Sequence, residues 1–145
     1  MVRLIMAAMC ALLPAHTFAQ SSCAQGGEPP AKIPSSLAPK IIKWVEPVEL
    51  KLGIAPANWS GLSSDAAPGK KDALLQMQAL AARWQREVPE NSGESIFRQA
   101  VAHGINVQYE KFMASEDPQR AADHRYWMNV EAWRASECLK LINHP

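Results

Sequence analysis

The pair Asp117-Pro118 opens the longest unbroken helical stretch of the chain, and that stretch sets the strictest condition on any fold it can join. Asp117 suits the cap, and Pro118 suits the first helical position, where its missing N–H costs nothing. The helix is expected to reach about Ile142, some 25 residues or about 37 Å at 1.5 Å per residue. Set out at 100° steps, one arc carries Tyr126, Trp127, Val130, Trp133 and Leu141 together with Asp123, Arg134 and Glu137. A second, roughly opposite arc carries Ala121, Met128, Ala132, Ala135, Leu139 and Ile142. A helix that is apolar on two sides must be covered on two sides. It is either the central helix of a bundle, or it packs its smooth Ala/Met/Leu side inward and offers the aromatic and charged side to a partner. Arg134 and Glu137 stand three residues apart, within pairing reach of each other.

Two further helical segments precede it. From Lys70 to about Glu87, ahead of Pro89, the residues Ala73, Met77, Leu80 and Trp84 form one apolar stripe. A second helix starts at Asn91, with Glu94 three residues on as in a capping box. Phe97, Val101, Ile105 and Phe112 keep one phase through Gly104, so a single bent helix to about Met113 is expected rather than two.

Before Lys70 the pattern is different. Residues 20–40 are rich in Ser, Gly and Pro and read as an extended arm. Between residues 41 and 54, Val48, Leu50, Leu52 and Ile54 alternate with Glu49, Lys51 and Gly53, which predicts a short strand-like segment with Pro47 suiting an edge position. Residues 55–69 read as loop anchored by Trp59 and Leu62. The expected fold is mainly α: a small three- to four-helix bundle over residues 70–145, preceded over residues 20–69 by the Pro-rich arm and its strand-like segment.

Residues 1–19 have the order of a secretory signal: Arg3, an apolar run from Leu4 to Leu13, Pro14, and small residues ending at Ala19. The run is about ten residues, short of the roughly 20 that span a bilayer. Removal of Arg3 with the signal turns 15 basic and 14 acidic side chains into an even balance. Even charge argues against nucleic-acid binding, which needs excess Lys and Arg. Cys10 lies in the signal, leaving Cys23 and Cys138, most simply a disulfide in an oxidising compartment. A lipid-modified Cys23 or a free thiol are the other readings; Gln20-Ser21-Ser22 lacks the upstream Leu of a lipoprotein signal.

No motif for metal, cofactor or nucleophilic chemistry emerges. His103, His124 and His144 are scattered and no Cys pair is close in sequence, so neither a metal nor a cofactor is expected. Glu87, Glu94 and Glu110 could be assembled into a glycosidase pair, yet nothing in their spacing selects two of them. The expected function is therefore an exported, non-enzymatic protein-binding module of the envelope, periplasmic or secreted. Immunity or inhibitor proteins and accessory parts of secretion or conjugative transfer systems are its class. Its partner is another envelope or secreted protein, with homodimerisation compatible and no stable membrane insertion after cleavage. The candidate face is Tyr126, Trp127, Trp133, Arg134 and Glu137, with Val48, Leu50 and Leu52 as a strand able to extend a partner's sheet. The rival reading is a small exported hydrolase of cell-wall glycan, and a ligand carrier is a third.

Overall fold

The computed structural model describes Cys23, residues 28–90 and residues 92–143. The expected signal at 1–19, the Asn91 cap and His144 lie outside the described residues. Among the described residues four α-helices form the body: α1 (Leu37–Lys51), α2 (Lys70–Gln85), α3 (Gly93–Glu116) and α4 (Ala121–Asn143). Short 3₁₀ turns stand at Trp59–Leu62 and Pro118–Arg120. Helix α3 packs on α1, α2 and α4, and α1 also packs on α4.

The strand-like segment expected at 41–54 is not a strand; no strand occurs among the described residues. Residues 41–51 belong to α1, and the buried line Ala38, Ile41, Val45 and Glu49 has helical spacing. Four alternating residues fit a strand, but Val48 and Leu52 also stand one helical turn apart, so the short run could not separate the two periods. Pro47 is tolerated because it and Lys43, whose carbonyl loses its intrahelical donor, both lie on the exposed side. The helix ends in a Schellman motif. Gly53 takes a φ of 68° and its N–H donates to the Leu50 carbonyl at 3.2 Å, while the Ile54 N–H donates to the Glu49 carbonyl at 3.0 Å. Ile54 then turns into the core. The supposed arm thus contributes a full helix to the bundle.

The expected helices are otherwise present. Helix α2 starts at Lys70, although its buried line is Ala73, Leu74, Met77 and Ala81, leaving Leu80 partly exposed at the margin. Helix α3 is capped by Ser92, whose hydroxyl accepts from the Ser95 N–H at 3.0 Å, and it runs unbroken through Gly104. A Cβ on Gly104 would stand 2.8 Å from Val45 Cγ2 and 2.9 Å from Val45 Cβ, so the missing side chain is what lets α1 and α3 approach. Asp117 accepts from the Arg120 N–H at 3.3 Å and opens the 3₁₀ turn that leads into α4.

Two apolar clusters divide the core. Val45, Ile54, Met77, Ala81, Val101 and Ile105 join α1, α2 and α3. Phe97 bridges Trp44 and Trp84 by edge-to-face contacts at 6.4 and 6.1 Å beside that cluster. Ala38, Ile41, Val107, Ala132 and Ala135 join α1, α3 and α4, with Met128 and Leu139 against them. Ala132, Ala135, Met128 and Leu139 of the Ala/Met/Leu arc of α4 therefore face inward, whereas Ile142 of that arc is exposed and Val130 of the aromatic arc is fully buried. Cys23 and Cys138 form a disulfide across 115 positions, with their Cα atoms 4.7 Å apart. The Cys23 N–H donates to Gln99 Oε1 at 3.2 Å, which ties this residue to α3 as well as α4.

Candidate functional site

The outer side of α4 holds the residues singled out from the sequence, and burial divides them. Tyr126 is 55 % and Trp127 46 % exposed, and the two rings meet edge to face at 5.3 Å. Trp133, Arg134 and Glu137 are half-buried. Arg134 does not pair with Glu137. Its Nη1 donates to Glu131 Oε1 at 2.7 Å, and Glu137 accepts from Lys140 at 2.6 Å. Glu131 draws the guanidinium away because it is already anchored in the interior. On α1, Val48 packs against the first core cluster while Leu50 and Leu52 are exposed. With Val48 and Leu50 inside α1 and Leu52 as its C-cap, these three cannot present the alternating backbone edge that would extend a partner's sheet.

Between α3 and α4 lies a polar seam that the sequence reading missed. His103 Nδ1 stands 2.6 Å from Glu131 Oε2, and His124 Nδ1 stands 2.6 Å from Glu110 Oε2. On α3 the order is His103 then Glu110, on α4 His124 then Glu131, each seven residues apart. Seven residues is close to two turns, so each pair shares one face of its helix. Antiparallel packing of two such faces brings each imidazole to the other helix's carboxylate, giving two rungs with pseudo-twofold symmetry. The repeated His-x6-Glu spacing was the signal available in the sequence.

The first rung is part of a network. Glu131 Oε2 also accepts from Asn106 Nδ2 at 3.2 Å, and Asn106 Oδ1 accepts from Gln78 of α2 at 3.0 Å. Burial alone would raise the Glu131 pKa, but the His103 hydrogen bond and charge, the Asn106 amide and the Arg134 guanidinium outweigh it and hold it below the ordinary 4.5. In the second rung His124 Nε2 is buried and has no hydrogen-bond partner among the described residues, so it is closed to a substrate. These dyads clamp helices. Among the described residues no group of three His, Cys, Asp or Glu side chains could hold a metal ion.

Glu49 behaves oppositely. It is fully buried, and burial, partly offset by the Gln108 hydrogen bond and reinforced by Glu46, raises its pKa to about 7. Two carboxylates with divergent pKa values are what a glycosidase needs, but these two do not face each other. Glu49 bonds Gln108 and Glu131 bonds Asn106. Two residues along a helix turn it by 200°, so the carboxylates approach α3 from opposite sides. Glu87 and Glu94 pair with Arg98 at 3.6 and 2.9 Å, and Glu110 is engaged by His124.

Among the described residues the geometry defines a disulfide-closed four-helix protein in which two His–Glu pairs clamp α3 to α4 and an exposed aromatic pair lies on α4. No protein-family model, curated protein or solved structure matches the chain. No helix among the described residues is long and apolar enough to cross a membrane, and the disulfide is consistent with an oxidising, extracytoplasmic compartment.

Proposed function

We propose that the protein is an exported, non-enzymatic binding module that recognises another envelope protein through the outer side of α4. The observation that carries this reading is the Tyr126–Trp127 pair, two large rings in mutual contact yet about half exposed. Aromatic anchors and Arg are the side chains enriched at binding hot spots. Behind them α4 is fastened by the Ala132/Ala135 cluster, both His–Glu rungs and the disulfide. Such a platform loses little conformational freedom on docking. Immunity or inhibitor proteins and accessory subunits of secretion or transfer machines are modules of this kind.

The test is a paired crosslinking and affinity capture from the native envelope fraction, using the mature protein and its Tyr126→Ala/Trp127→Ala variant. A single stoichiometric partner is expected with the parent chain. Loss of two hot-spot anchors should weaken it at least ~30-fold. The melting temperature should hardly change, since neither ring is buried in the core. Capture of the same partner at equal strength by the variant would overturn the assignment of this face.

A further inference from the structure

Glu49 and Gln108 form a buried pair with an unusual deficit. Gln108 Nε2 donates to Glu49 Oε2 at 3.2 Å. Glu49 Oε1 and Gln108 Oε1 are both buried acceptors without a donor among the described residues. An ionised carboxylate leaves both oxygens unsatisfied, a costly state for buried polar groups. One proton on Glu49 Oε1 resolves both, because a carboxylic acid and a primary amide can exchange two hydrogen bonds in a ring, N–H to carboxyl oxygen and O–H to amide oxygen. We propose that Glu49 is protonated in the folded protein and closes such an acid–amide ring with Gln108, forming a pH-sensitive latch that holds the end of α1 against α3.

The position of the pair gives the latch its consequence. Glu49 lies in the last turn of α1, where the helix dipole disfavours a negative charge. Its carbonyl accepts from Ile54 and Ala55, so the same residue fixes the turn that sends Ile54 into the core. Gln108 also lines an open cavity of about 240 Å³ between α1, the Trp59–Leu62 turn and α3. Deprotonation draws water toward Glu49 from that side. The charged groups that line this cavity with Gln108 are Glu46 on α1, Lys111 on α3, Lys70 at the head of α2 and Asp65 in the loop before it. Glu46 opposes ionisation of Glu49. Lys70 is largely spoken for, since its ammonium donates to Asp65 at 2.7 Å and to the Ser63 carbonyl at 3.3 Å.

The experiment is a carboxyl carbon NMR titration of the intact mature protein between pH 4 and 9, with amide exchange of Ile54 and Ala55 followed in parallel. Glu49 is expected to titrate near 7, and a midpoint near the ordinary 4.5 would overturn its protonation. Protection factors of Ile54 and Ala55 should fall about tenfold or more as Glu49 ionises. If they stay level while Glu49 titrates, the latch is refuted even though the proton is present. Glu49→Gln keeps a ring-forming amide and cannot ionise, so its protection should be independent of pH. A variant that retains the parent's pH dependence counts against the proposal, and if the variant fails to fold the two measurements on the parent chain decide alone.

Discussion

Gly104 shows how a single absent side chain sets the spacing of two helices. Val45 Cβ and Cγ2 stand under 3 Å from where a Cβ would lie, and Val45 is fully buried with no room to retreat. Gly104→Ala gains helix propensity, up to about 1 kcal/mol. Forcing the backbones apart costs about 1–3 kcal/mol. With the full propensity gain, the net expectation in urea unfolding is a loss of about 0–2 kcal/mol. Val45→Ala alone should also destabilise, yet the double variant should lose less than the sum of the two, which a double-mutant cycle measures. Strict additivity would show that the contact does not set the helix spacing. Glu49 has a proton linkage of definite sign. Its folded pKa of about 7 exceeds the ordinary 4.5, so its contribution is complete below pH 4.5 and is lost as pH rises through 7. The difference amounts to about 3 kcal/mol at 1.36 kcal/mol per pKa unit.

The α3–α4 hairpin shows the opposite sign at the scale of elements. Because Glu131 is held below 4.5, its contribution is complete above pH 4.5 and is lost as pH falls through its folded value. Glu131→Gln should flatten the acid limb of the stability curve. At neutral pH it should cost about 1–3 kcal/mol, since the carboxylate serves His103, Asn106 and Arg134. Stability measured by denaturant at each pH checks both signs together. An acid limb as steep in Glu131→Gln as in the parent would place the acid sensitivity elsewhere, with the Glu110–His124 rung next in line. Helices α2, α3 and α4 were legible in the sequence because each runs long enough for the apolar phase to repeat several times. Helix α1 was not, because its Pro47 and a four-residue alternation imitate an edge strand. The Leu52-Gly53-Ile54 triplet was the overlooked stop signal: a glycine free to take positive φ, followed by an apolar residue that returns to the core.

On the scale of the whole molecule, the disulfide between Cys23 and Cys138 closes a loop of 115 positions onto α4. The chain-entropy account puts its effect at about 5 kcal/mol. Reduction, or Cys23→Ser/Cys138→Ser, should lower stability by up to that amount. Far-ultraviolet dichroism should stay helical, since neither core cluster includes Cys23 or Cys138. Collapse of the helical signal on reduction would mean that the cystine is required for the bundle rather than added to it. Local chain preferences made the helical class, three of the four helices and the Asp117-Pro118 start legible in the sequence, while counting cysteines made the disulfide only the simplest of three readings, and the fold supplied the pairing. Only the tertiary structure decided that α1 is a helix, that Arg134 turns to Glu131 instead of Glu137, that two histidines and two glutamates interlock, and that Glu49 is buried. Each of these depends on what lies opposite a residue across a helix interface, and in the linear order those opposite groups stand 28, 14 or 59 positions away.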